Sequence, residues 1–237
     1  METNSAPGAP RGSPLPGLLL LLSVTTGLVD AVSILGLAKV FSANMTGNIV
    51  FLGFGLAQTP GFSVGPNLFA IVTFLAGALI AGRVGLSYGK RPLRHWLTIA
   101  AVVEAALLWV AAIMALYYSP ENLEPRWGLY GIIGLTAIAM GFRNATIRQL
   151  KVPDLTTTVL TLTLTGIAAD SRMAGGASPN LGRRIAAVLA ILVGAALGAV
   201  MVMRWGLALP LLVSGIIVLF GTIACVRHPA AALPRSV

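Results

Sequence analysis

Ala43-Asn44-Met45-Thr46-Gly47-Asn48 and, 110 positions later, Pro153-Asp154-Leu155-Thr156-Thr157-Thr158 are polar stretches in a chain that is otherwise apolar. Each opens a hydrophobic run too short to cross a bilayer. The run 44–57 has 14 residues and 154–169 has 16, so as helices they reach only about 21 and 24 Å against a hydrocarbon core of about 30 Å. Paired short segments in corresponding halves are the sequence mark of a transport site built from broken or re-entrant helices.

Around them lie six longer apolar runs, at 15–37, 67–87, 96–117, 127–147, 184–204 and 207–226. The composition demands lipid as the main solvent: 57% of the 237 residues are hydrophobic, 10% are charged, and mean hydropathy is +0.89. A soluble domain carries about 25% charged residues. The net charge of +9 does not point to nucleic acid, because no basic stripe is interleaved with aromatics. Cations of membrane proteins gather in cytoplasmic loops instead. The single cysteine, Cys225, excludes an internal disulfide and argues against a cysteine metal site. His95 and His228 stand in basic flanks at span edges and read as interfacial residues.

Charge distribution predicts which runs cross. If all eight cross, the 16 cations divide 9 to 7 between the two sides. If the two short runs dip in and return, six crossings remain with the N-terminus inside. Only Lys39, Arg126 and Arg204 then lie outside, and 13 cations lie inside. The second arrangement obeys the positive-inside rule. The expected fold is an all-α membrane protein of six transmembrane helices plus two short re-entrant half-helices. Residues 1–14, rich in Pro, Gly, Ala and Ser, are expected to be a disordered cytoplasmic tail, and 227–237 a second one. A signal-peptide reading of the first apolar run is rejected, because everything downstream is membrane-embedded and Asp30 belongs to a motif. One polytopic domain, 15–226, is expected between the tails.

The order long, short, long, long occurs twice, with element starts offset by 112, 110, 117 and 111. Repeat one covers about 15–117 and repeat two about 127–226. Three crossings per half is odd, so the halves are expected to be inverted.

Candidate transport-path residues follow from the polar stretches. Asp154, Thr158, Thr161 and Thr165 share one narrow helical face. Asn44 and Asp154 suit N-cap positions. With Thr46, Asn48, Thr156 and Asn144 they would surround a midplane site where two helix N-termini meet and favour a small polar or anionic solute. Threonines and asparagines could also act only as interhelical glue. Asp30 lies inside the first span and reads either as a functional acid or as an ion-pair partner of Arg143 or Arg148. Glu104 could carry protons or neutralise Arg83. Arg143 and Arg148 could instead pair with Asp154 and Asp170. Gly194 and Gly198 form a small-residue pair that would allow close helix packing, within the chain or in a homo-oligomer. The sequence holds no Ser-His-Asp arrangement, phosphate loop or His-Glu-xx-His, so an enzyme is not expected, and neither is a metal or cofactor.

Gly27-Leu28-Val29-Asp30-Ala31-Val32-Ser33 followed by Val40-Phe41-Ser42-Ala43-Asn44-Met45-Thr46-Gly47-Asn48 resembles the signature of the YoaK-like bacterial membrane proteins. Asn144-Ala145, Arg148, Val152-Pro153-Asp154-Leu155-Thr156-Thr157-Thr158-Val159-Leu160-Thr161 and Arg183-Arg184 extend the resemblance over about residues 24–226. Where such proteins more often have Gln before Asn144, this chain has Arg143. The resemblance implies a multi-pass protein of the bacterial inner membrane and implies no substrate or catalytic residue. The expected function is a small secondary transporter or channel-like permease, with a non-transporting scaffold or accessory subunit as the alternative.

Overall fold

The computed structural model describes residues 14–87, 92–150, 160–178 and 180–228. Eight α-helices appear among them: α1 Leu15–Gly36, α2 Met45–Leu56, α3 Val64–Ser87, α4 Leu93–Ala115, α5 Arg126–Leu150, α6 Leu160–Ala169, α7 Leu181–Trp205 and α8 Ala208–Arg227. A short 3-10 turn, Arg172–Ala174, precedes α7. Each predicted apolar run is matched by one helix, residues 154–159 of the run 154–169 lying outside the described residues, and no strand occurs among the described residues.

Five helices, α1, α3, α4, α7 and α8, are long and apolar enough to cross a membrane. The sixth expected span, α5, has the length, at 25 residues, but is too polar by composition to stand with them. Arg143, Asn144, Arg148 and Gln149 crowd its last two turns. The packing explains how such a helix is accommodated. One face of α5 buries Leu129, Ile132, Ile133, Thr136, Met140 and Arg143, so Thr136 and Arg143 meet protein instead of lipid. The short helix α2 has 12 residues, and α6 has 10 among the described residues.

The core lies where α1, α4, α5 and α8 meet, around Val29, Val32, Leu108, Ala111, Ile132, Ile133, Met140 and Leu211. By contrast, α3 and α7 are peripheral. Of the apolar stretch of α1, 61% is buried, against 22% for α3 and 17% for α7. Most large exposed side chains of α3 and α7 are Leu, Val and Ile, as a lipid-facing surface requires.

Two close crossings hold the periphery to the centre. On α1, Gly27 presses against the main chain of Ile191 and Ala195, and Gly194 of α7 presses against Val24. On α5, Gly141 lies against Phe74 and Ala78, and Gly77 of α3 against Ile138. A side-chain carbon at any of the four would collide with backbone. Gly194 and Gly198 are therefore spent inside the chain, Gly198 against Leu28 and Ala31. Of the two uses open for this pair, the structure realises the intramolecular one.

The register of these contacts gives the helix directions. Val24 lies at Gly194 and Ala31 at Gly198, so α1 and α7 run the same way. Gly65 lies at Tyr130 and Gly85 at Gln149, so α3 and α5 run the same way. Gly131 meets Met114 while Arg143 bonds Glu104, so α4 opposes α5. Gly36 meets Leu207 and Gly221 meets Leu21, so α8 opposes α1. Arg143 bonds Leu22 while Thr136 bonds Ser42, so α5 opposes α1. Consequently α1 and α3 are antiparallel although α2 lies between them, and α5 and α7 are antiparallel although α6 lies between them.

Candidate functional site

The chain breaks its helix between Gly36 and Met45, and the break is buried. Leu37, Val40, Ser42 and Ala43 are all less than 9% exposed. Ala38 and Lys39 take left-handed backbone angles, φ 56° and 60°, a conformation that side chains disfavour and that turns the chain back. Buried irregular backbone has unsatisfied amides and carbonyls that the protein must satisfy itself.

Three side chains, of Asp30, Asn48 and Tyr118, do so, and a Ser42–Thr136 bond ties the break to α5. Asp30, one and a half turns from the end of α1, accepts the Ala43 amide on Oδ1 at 3.1 Å, with the Ser42 amide beside it. Asn48 of α2 accepts the Phe41 amide at 2.8 Å and donates to the Phe41 carbonyl at 2.7 Å. Ser42 Oγ donates to Thr136 Oγ1 at 2.9 Å, and Thr136 donates onward to the Ile132 carbonyl. Tyr118 donates its hydroxyl to the Gly36 carbonyl at 3.0 Å. Burial, with the Glu124 carboxylate near, pushes the Tyr118 phenol up to about 12, so it remains a donor. Phe41, Phe51, Phe54 and Phe62 stack against one another beyond the break, with the Lys39 ammonium 5.1 Å from the Phe62 ring centre.

Thr136 lies near the middle of α5. The break and the start of α2 therefore sit at mid-depth of the bundle. Asn44 occupies the N-cap position of α2 as expected, but its side chain makes no capping bond. Asn44 and Thr46 are exposed and Asp30 is partly exposed. Asn44 and Thr46 begin α2, and Asp30 reaches the same break through the Ala43 amide. Asn48 does not join them: it is fully buried and both ends of its amide are engaged.

In the second half, Asp154, Thr156 and Thr158 lie outside the described residues. Thr161 is exposed on α6. Asn144 is partly buried, and its Nδ2 has no partner among the described residues.

The charged residues pair differently from the sequence expectation. Glu104 pairs with Arg143 instead of Arg83, and both are buried, at 3% and 2% exposure. Arg143 Nε donates to Glu104 Oε1 at 2.8 Å, with Nη2 on the same oxygen. Its Nη1 donates to the Leu22 carbonyl and to Thr26 Oγ1, each at 2.9 Å. One guanidinium thus ties α1, α4 and α5 together. Arg148 is exposed. Asp170 pairs with Arg184 at 2.7 Å, since Arg184 opens α7 directly after the loop that Asp170 begins. Asp30 has no cation at ion-pair distance among the described residues.

The sequence reading missed Ser42, Thr136 and Tyr118. Ser42 adjoins the first polar stretch, and Thr136 is a lone hydroxyl in an apolar run. Nothing in the sequence pairs the two across 94 positions. Tyr118 ends a span, where tyrosine is expected at the lipid interface, so its inward bond had no signal.

Fold and site together define a polytopic, all-helical integral membrane protein with a discontinuous helix at mid-depth. The chain belongs to the family described as protein of unknown function (DUF1275), whose profile matches residues 18–224. It is similar to the UPF0700 transmembrane protein YoaK of Bacillus subtilis (strain 168), with 35% identity over 158 residues, which is 65% of this chain and 65% of that relative. No solved structure matches it.

Proposed function

We propose that this protein is a small secondary transporter or channel-like permease for a small polar or anionic solute, and not an enzyme. The observation that carries this reading is the broken helix. The start of α2 stands at the level of Thr136, with Asp30 on the Ala43 amide and with Asn44 and Thr46 exposed. Non-helical backbone at membrane depth is tolerated where protein buries it or where it lines a water-filled cavity. Here protein holds one side of the break, and the polar side chains occupy the other.

The proposed architecture is six crossings with α2 and α6 re-entrant, arranged as an inverted repeat. The helix directions support it, because α1 and α3 oppose each other across α2, and α5 and α7 across α6. Equivalent residues also recur. Gly27 and Gly141, like Asp30 and Asn144, are 114 positions apart, and Gly77 and Gly194 are 117 apart. These are the glycines of the two close crossings. The proposed setting is the bacterial inner membrane with both termini in the cytoplasm. Thiol labelling at engineered single cysteines in a Cys225→Ser background checks the sidedness. A cysteine at Glu121 should react from outside, and one at Ala174 only after the membrane is opened. Outside labelling at Ala174 would refute the re-entrant arrangement of α6.

A second check concerns hydration. Cysteines at Asn44 and Thr46 should react with a small, charged, membrane-impermeant thiol reagent, and one at the lipid-facing Leu75 should not. If Asn44 and Thr46 react only with a lipophilic maleimide, the polar face meets lipid or protein, and the alternative gains. That alternative is a non-transporting scaffold, favoured by Asn48 and Arg143, whose polar groups hold chain segments together.

A further inference from the structure

We propose that one end of the bundle is a binding surface for anionic phospholipid headgroups, built from a belt of arginines and independent of whether the protein carries a solute. Two buried clusters bring the helix ends together. Ala101 of α4, Ile147 of α5, Ala187 of α7 and Cys225 of α8 share one with Leu18 of α1, and Ala81 of α3 shares the other with Trp96 of α4 and Phe142 of α5. Just beyond them, toward the same end, stand Arg83, Arg94, Arg148, Arg183 and Arg227, each within four positions of a cluster residue. Arg172 joins them, because the Asp170–Arg184 pair at 2.7 Å ties its loop to α7. Five of the six are exposed, and Arg183 is partly so. None has a carboxylate at ion-pair distance among the described residues. The opposite end mixes Lys39, Arg126 and Arg204 with Glu121 and Glu124, and Arg126 lies 4.0 Å from Glu124.

Helix dipoles compensate only part of this charge. Arg148 and Arg227 stand in last turns, where a cation is favoured. Arg94 and Arg183 stand in the first turns of α4 and α7, where a cation is disfavoured, and neither turn has an acid. An external phosphate would meet both the guanidinium and the positive helix start. Position selects a lipid phosphate. Arg83 lies between the exposed Ile80 and Leu86, and Arg183 between the exposed Leu181 and Ile185. These arginines therefore border the lipid-facing apolar surface, at headgroup level. Among the described residues no lysine stands at this end, and the planar fork of arginine suits phosphate bidentately. A leaflet with anionic lipid attracts cations placed this way.

The test uses purified full-length protein in a neutral detergent. Thermal unfolding is followed with phosphatidylglycerol, phosphatidylcholine or inorganic phosphate added, and native mass spectrometry counts the lipids retained. At a concentration about a hundredfold above its dissociation constant, phosphatidylglycerol is expected to raise the unfolding temperature by about 5–10 °C. The other two should leave it unchanged, and high salt should shrink the shift. Arg94→Gln with Arg183→Gln should lose most of the shift, whereas Arg126→Gln with Arg204→Gln, at the opposite end, should keep it. The single variants Arg94→Gln and Arg183→Gln, each expected to retain less phosphatidylglycerol in the mass spectrum, keep the test decisive if the double variant folds poorly. An equal shift from phosphatidylcholine would overturn recognition of headgroup charge. An equal shift from inorganic phosphate would overturn the lipid in favour of a free anion. A shift and retention kept in the Arg94 and Arg183 variants would overturn the role of this end, and no effect of phosphatidylglycerol on the parent protein would overturn the proposal as a whole.

Discussion

Replacing Glu104 by glutamine is expected to destabilise the folded protein by about 3–5 kcal/mol, the usual result of stranding one member of a buried ion pair. Arg143 would keep its charge at 2% exposure, with the Leu22 carbonyl and Thr26 hydroxyl as its remaining partners. For a chain of this size that corresponds to a fall of roughly 6–20 °C in unfolding temperature. Arg143→Gln should do comparable harm by stranding Glu104. The double variant Glu104→Gln with Arg143→Gln should recover most of the loss, since two neutral amides can bond each other and the charge disappears. Thermal unfolding in detergent, followed for all three variants, measures the coupling. Additive losses in the double variant would show that the pair is not what stabilises this junction of α1, α4 and α5.

This pair also marks where the sequence stops being informative. Glu104 and Arg143 each stand out as charges in apolar runs. Yet Arg83, Arg148 and Asp30 stand out in the same way, and nothing local says which meets which. The partner is chosen by how α4 and α5 lie against each other, 39 positions apart in sequence. Element positions were legible because long apolar runs in lipid have little choice but helix. The break before α2 was legible too, because Asn44 to Asn48 interrupt the apolar pattern. The weak apolarity of α5 was harder to use. Its polar residues look disqualifying when each helix is judged against lipid, and become reasonable once α5 is seen enclosed by α1, α3 and α4.

The roles of individual polar residues were the least legible. Asn44 and Asn48 are both asparagines, four positions apart at the start of α2. One is exposed and the other fully buried. The difference arises because the chain before α2 folds back along the helix, so that Phe41 reaches the Asn48 amide. A folded-back segment of this kind leaves no periodic signature. The repeat is similar: unequal loop lengths mask Gly27 and Gly141 as equivalents in a single fixed-offset comparison, whereas their shared place in two crossings brings them out.

Asn48→Leu is expected to act on the fold before it acts on any solute. Leucine removes both bonds to Phe41 and leaves a buried amide and a buried carbonyl without partners. Each such orphan costs about 1–3 kcal/mol, so a total loss of roughly 2–6 kcal/mol follows, and folded protein in the membrane should drop accordingly. Asn48→Asp gives a graded comparison. It keeps an acceptor for the Phe41 amide but withdraws the donor from the Phe41 carbonyl, and should cost less than leucine if the second carboxyl oxygen is protonated and donates in its place. Thr46→Val provides the contrast, because Thr46 is exposed and its side chain makes no hydrogen bond among the described residues. It should leave folded protein near the wild-type amount while lowering solute flux. Quantifying folded membrane protein by fluorescence-detected size exclusion, alongside flux, separates the two. If Asn48→Leu folds as well as the parent, the amide clamp is dispensable and Asn48 returns to the list of solute-facing groups. If Thr46→Val also folds and flux is unchanged, the open polar face at the start of α2 is not the path.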